Sequence, residues 1–217
     1  MFGISIPTIL VRLVVLFLAI PIHEWAHAWS AYQLGDDTAS REGRLTLNPM
    51  AHLDPIGSLL ILVSGFGWGK PVPVNPYRLR TNPRIGHAIT AFAGPLSNFV
   101  LAMLLAIPFR MQRVDYAIAS MDLYSQRLSI GALLLVAIEI NLGLMLFNLI
   151  PLFPLDGEKV LVGVLPPRWG DNLLRIRPYG PIILAGLMFI LPQLGIDLIG
   201  KLMAPAYWFL RELLVFL

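Results

Sequence analysis

Residues 20–29 read IPIHEWAHAW. Two imidazoles, His23 and His27, stand four positions apart, with the carboxylate of Glu24 beside the first. On a helix, positions i and i+4 share a face, so the pair can hold one cation while Glu24 reaches water placed there. This is the H-E-x-x-H arrangement of metal-assisted hydrolysis, two nitrogen ligands and a general base. The bland alternative is a polar cluster that satisfies itself between helices. It is the weaker reading, because charged groups inside apolar segments are costly and tend to be functional.

A catalytic zinc takes three protein ligands and leaves one position open. The chain has four histidines and no cysteine, so the third ligand must be His, Asp or Glu. The longer pattern H-E-x-x-H-x-x-G-x-x-H fails, because Ser30 and Gln33 occupy its later positions. His52 and His87 sit in no supporting pattern. Asp156 stands out, within FNLIPLFPLDG (147–157). There Pro151 and Pro154 must interrupt helical hydrogen bonding, and non-helical backbone at membrane depth needs protein or a water-filled cavity around it. A broken helix carrying a carboxylate and an amide, Asn148, suits a buried hydrolytic site.

The elements that must position these residues are apolar helices. Of the 217 residues, 57% are hydrophobic and 13% charged, far below the charged share of about 25% in soluble chains. Four stretches reach the roughly 20 residues needed to span a bilayer: about Ile4–Leu34, His87–Phe109, Ile130–Pro154 and Pro181–Gly200. The first is too long for a signal peptide and is expected to be retained. Ile56–Gly65 is half the needed length, which suits a re-entrant or interfacial segment. The tail 203–217 carries Arg211 and Glu212 and is expected to form an interfacial or edge-packed helix.

Ten basic residues lie in the loops 35–86 and 155–180, against three in 110–129. The positive-inside rule then places the ten-residue side in the cytoplasm and the N-terminus outside. Both HEWAH and Asp156 fall in the cytoplasmic half of this arrangement, where water can reach them. A net charge of +3, spread along the chain, gives no footprint for nucleic acid. The expectation is one domain, 1–217: an all-α multi-pass membrane protein of about four core helices with a re-entrant or β-hairpin segment and a C-terminal interfacial helix.

HEWAH (23–27), NPMAHLDPIG (48–57), GWGKPVPVNP (67–76), AGPLSN (93–98) and FNLIPLFPLDG (147–157) together resemble the site-2 protease family of intramembrane zinc metalloproteases. The resemblance covers most of the chain. It implies His23, His27 and Asp156 as ligands of one zinc ion, Glu24 as general base and Asn148 near the scissile peptide. The family's accessory PDZ or cystathionine-synthase-like modules find no room in these 217 residues, and a minimal member is expected. The implied substrates are membrane-spanning segments of other proteins. A divalent-metal carrier or a non-hydrolytic binder of membrane helices remains the alternative.

A substrate must be extended to be cut. In GFGWGKPVPVNP (65–76) glycines permit turns, and alternating Pro and Val suit an edge strand that pairs with an unwound peptide. Gly69, Lys70, Pro71 and Val72 are the expected contacts, and the resemblance implies the same role as a re-entrant hairpin. Further expectations are an Arg12–Glu139 pair between the first and third spans, and close helix packing at Gly94, Pro95 and Asn98 that also offers an amide near the site. Asn141 is expected to bond between helices, His52 and Asp54 to organise a loop, and Trp68 to anchor at the interface.

Overall fold

The computed structural model describes residues 6–216; the expected first span's opening residues, Ile4 and Ser5, lie outside them. Helices α1 (Ile6–Val14) and α2 (Ile20–Gln33) run into each other through a π-helical turn at Val15–Ala19, giving a first apolar span, Ile9–Gln33. The short α3 (Thr38–Arg41) and α4 (Pro55–Ser64) follow. At ten residues and about 1.5 Å per residue, α4 cannot cross a bilayer core of about 30 Å. Asp54 caps its start by accepting from the Gly57 N–H (2.8 Å), and Gly65 ends it at φ +84°.

Helix α5 (Pro83–Arg110) is the second span, started by Pro83 at the first turn and by the Asn82 side chain accepting from the Arg84 N–H. After α6 (Tyr116–Tyr124), α7 (Ile130–Asn148) makes the third span. It stops at Asn148 rather than running to Pro154, because the prolines at 151 and 154 remove the helical donors. Helix α8 (Asp156–Val164) then turns back. A side chain at Gly157 would strike the Leu149 and Ile150 carbonyls at 2.3 and 2.4 Å, so glycine permits this tight return.

The fourth candidate span, Pro167–Leu194, joins α9 (Pro167–Ile176) and α10 (Gly180–Ala185) through short irregular turns. It lies earlier than the expected Pro181–Gly200, because Gly195 takes φ +79° and Asp197 caps a new helix, α11 (Leu198–Val215). Among the described residues, four helices are thus long and apolar enough to cross a membrane.

Helices α2, α7 and α8 pack on α5. Ala102 and Ala106 of α5 are fully buried and let Leu135, Ile138 and Leu142 of α7 approach closely.

Two expectations are corrected. Among the described residues there is no β-strand: the 65–76 segment makes one isolated bridge, Gly69 to Leu53. Proline at 71, 73 and 76 removes the donors a hairpin ladder would need. The C-terminal helix takes the edge-packed of its two expected placements: it packs on α5 and α7, burying Leu214 and Val215, and its Arg211 pairs with Glu139 at 3.2 Å. Arg12 does not meet Glu139; it donates to the Leu62 and Val63 carbonyls at the end of α4.

Candidate metal centre

His23 and His27 project from one face of α2, as the i, i+4 spacing requires, and both are buried. Their Nε2 atoms stand 3.0 Å apart. Asp156, the first residue of α8, brings Oδ2 to 3.1 Å from each. Three ligand atoms from two elements 129 positions apart in sequence (Asp156 against His27) therefore meet at one point.

The hydrogen bonds behind the imidazoles decide what that point can hold. His27 Nδ1 lies 2.7 Å from the Thr90 carbonyl oxygen, which can only accept. His23 Nδ1 lies 2.7 Å from Asn98 Oδ1. The orientation of Asn98 is set by its own donor, Nδ2, which reaches Asn141 Oδ1 at 2.8 Å and the Ala19 carbonyl at 3.3 Å. Asn141 in turn donates to the Ala137 carbonyl (2.8 Å). Both Nδ1 atoms thus carry the proton, and both Nε2 lone pairs face the Asp156 carboxylate. A single proton could relieve one of these three contacts; a cation relieves all of them.

The donor set fits zinc. Bonds of about 2.0–2.1 Å in a tetrahedron place ligand atoms roughly 3.3 Å apart, close to the spacing found. Lys159 Nζ holds the second oxygen of Asp156 at 3.0 Å. A cation seated among the two Nε2 lone pairs and Oδ2, with the Lys159 ammonium on Oδ1, would hold the Asp156 carboxyl as the anion.

Three residues of α5 build the back wall, at i, i+4 and i+8: Thr90, Gly94 and Asn98. A Cβ on Gly94 would come within 2.4 Å of His27 Nε2 and 2.7 Å of His23 Cε1, so the helix can pass over the imidazoles only without a side chain there. The close packing expected at Gly94 and the amide expected near the site from Asn98 are both present; the Thr90 carbonyl behind His27 carries no signal in its residue type.

A cavity of about 620 Å³ opens over the three ligand atoms. Glu24 lines it and makes no hydrogen bond among the described residues; a Cβ on Gly69 would lie 3.6 Å from its Oε1. Of the expected substrate contacts, Gly69, Pro71, Val72 and Asn148 line the cavity, and Lys70 does not. The Lys70 N–H donates to the His52 carbonyl (2.7 Å) and its carbonyl accepts from Arg44. Asn148 Nδ2 donates to Leu144 of its own helix at 3.0 Å, leaving its second amide hydrogen. Trp68 lines the cavity too, beyond any anchoring role, while His52 and Asp54 serve loop and cap.

No family model and no solved structure matches the chain. Curated relatives do. "Putative zinc metalloprotease YwhC" of Bacillus subtilis is 40% identical over 186 residues, spanning 86% of this chain and 81% of the relative. "Putative zinc metalloprotease Rip2" of Mycolicibacterium smegmatis is 29% identical over 184 residues, 82% of this chain and 66% of the relative. Its namesake in Mycobacterium tuberculosis H37Rv is 28% identical over 193 residues, 86% of this chain and 68% of the relative.

Proposed function

Since the chain belongs to the zinc metalloprotease family of YwhC and Rip2, we propose that it is an intramembrane endopeptidase of the site-2 type, cutting membrane-spanning segments of other proteins. The observation that carries this is the meeting of two Nε2 lone pairs and one carboxylate beside a free Glu24, inside a bundle of apolar helices. A metal carrier has no need of a carboxylate held off the ligand set.

One zinc ion bound by His23, His27 and Asp156 would supply Lewis-acid polarisation of water and of the scissile carbonyl. The chain supplies the rest. Glu24 and Asp156 are the carboxylates lining the cavity, and Asp156 is occupied as a ligand. Glu24 therefore takes the proton of the attacking water and passes it to the leaving amine. Thr90 and Asn98 keep the imidazoles turned, and the spare hydrogen of the Asn148 amide is available to the developing oxyanion. The backbone edge at Gly69–Val74 takes up the unwound peptide, with Val72 and Val74 offering unpartnered N–H and C=O groups among the described residues. The helix α4, apolar and too short to cross, makes a re-entrant excursion that carries this edge. The distribution of basic loops supports an N-terminus outside and a site that opens to the cytoplasm.

The test is reconstitution in lipid with a transmembrane substrate, comparing the wild type, a chelator-treated sample and Glu24→Gln. The expected fall in Glu24→Gln is about 10²- to 10⁴-fold in rate, with the metal retained. Loss of the metal in that variant would make Glu24 a ligand and end its assignment as base.

A further inference from the structure

The extended stretch from Lys70 to Asn75 has little of its own to hold it straight. Prolines at 71 and 73 leave N–H groups only at Lys70, Val72, Val74 and Asn75. Lys70 donates to the His52 carbonyl (2.7 Å), and Asn75 donates to Asp36 Oδ2 (2.6 Å). The two valines between them have no backbone hydrogen bond among the described residues, and they line the cavity.

Two buried charges brace this stretch, and both come from the loop 35–44 that directly follows the histidine-bearing helix. Arg44 is 3% exposed, yet it has no ion-pair partner among the described residues. Its guanidinium donates instead to two consecutive carbonyls, those of Lys70 and Pro71 (3.1 Å to the latter). Asp36 is fully buried and likewise lacks an ion-pair partner among the described residues. It accepts from the Thr38 N–H (3.1 Å), the Thr38 hydroxyl and the Asn75 N–H. Unpaired buried charges are costly, so a fold that keeps two of them one at each end of a segment is using them on that segment. The planar fork of arginine matches adjacent carbonyls in a way a lysine ammonium cannot.

We infer that Arg44 and Asp36 are positioning residues: they hold Lys70–Asn75 extended, so that the free edge of Val72 and Val74 stands ready as the docking strand for an unwound substrate peptide beside Glu24. The inference rests on the protease reading for its meaning. Its physical half, the bracing, can be measured without any substrate.

The experiment uses the full chain with bound zinc in lipid, as wild type, Arg44→Gln, Arg44→Lys and Asp36→Ala. Hydrogen exchange over residues 70–76 should show slow amides at Lys70 and Asn75 in the wild type, exchanging about tenfold faster in Arg44→Gln and Asp36→Ala. Against a transmembrane substrate, KM should rise about tenfold while kcat stays within roughly threefold, zinc content unchanged and Arg44→Lys intermediate. Unchanged exchange in both variants overturns the bracing. Faster exchange with an unchanged KM overturns the docking role. Should one variant lose its zinc through misfolding, the other, at the opposite end of the strand, decides. A wild type that cleaves nothing sinks the protease reading, and the exchange result still stands or falls on its own.

Discussion

A methyl group placed on Gly94 would sit 2.4 Å from Nε2 of His27, on the very atom offered to the metal. Gly94 lies within a helix, so alanine suits its backbone and the conflict is with the imidazoles alone. Gly94→Ala is expected to weaken zinc binding by about 10- to 100-fold, the scale seen when the support of a metal ligand is disturbed. Metal content after dialysis against a graded chelator series reads this directly. Wild-type retention would mean that α5 can back away without cost.

Asn98 is the partner that fixes the proton on His23 Nδ1, and Asn141 fixes Asn98. Asn98→Ala should lower zinc affinity by about 10- to 100-fold. Asn141→Ala should lower it less, because the Ala19 contact still orients Asn98. Equal losses in the two variants would show that the amide pair acts by helix packing and not through the histidine.

Glu139 and Arg211 pair at 3.2 Å, with Arg211 also donating to the Tyr116 hydroxyl and lying over the Trp208 ring. Glu139→Leu alone strands the guanidinium and should cost about 3 kcal/mol of stability. Adding Arg211→Met should recover most of it. Thermal unfolding in detergent compares the single and double variants, and zinc content should not change in either. A neutral single variant would contradict this account.

Removing the metal leaves two lone pairs and a carboxylate facing one another at 3.0–3.1 Å. Added zinc should therefore raise the unfolding temperature, by about 2.7 kcal/mol of stability at a free concentration one hundred times Kd. In Asp156→Asn the gain should shrink with the loss of the anionic ligand. A zinc response that ignores Asp156 would place the ion elsewhere.

Much of the site was legible because it follows from local rules. The i, i+4 spacing of His23 and His27 survives in any helix, and the prolines at 151 and 154 break α7 wherever it packs. What escaped was set by partners distant in sequence. Comparable depth is all that the sequence offers for pairing Arg12 with Glu139, and Arg12 ends on the carbonyls of Leu62 and Val63 while Glu139 finds Arg211. The hairpin expected at 65–76 rested on the alternation of valine and proline. That alternation gives an extended chain, but a ladder needs donors that proline lacks.

From the order of residues alone came the four apolar lengths, the imidazole pair with its neighbouring carboxylate, and the break before Asp156. Each is a periodicity or a missing donor, readable within one segment. Only the packed structure decided that Thr90, Gly94 and Asn98 face the histidines, that Asp156 closes to 3.1 Å, and that Arg44 and Asp36 hydrogen-bond at the two ends of one extended segment. Those facts depend on which helix faces come to adjoin, and no local spacing encodes the rotation of one helix against another.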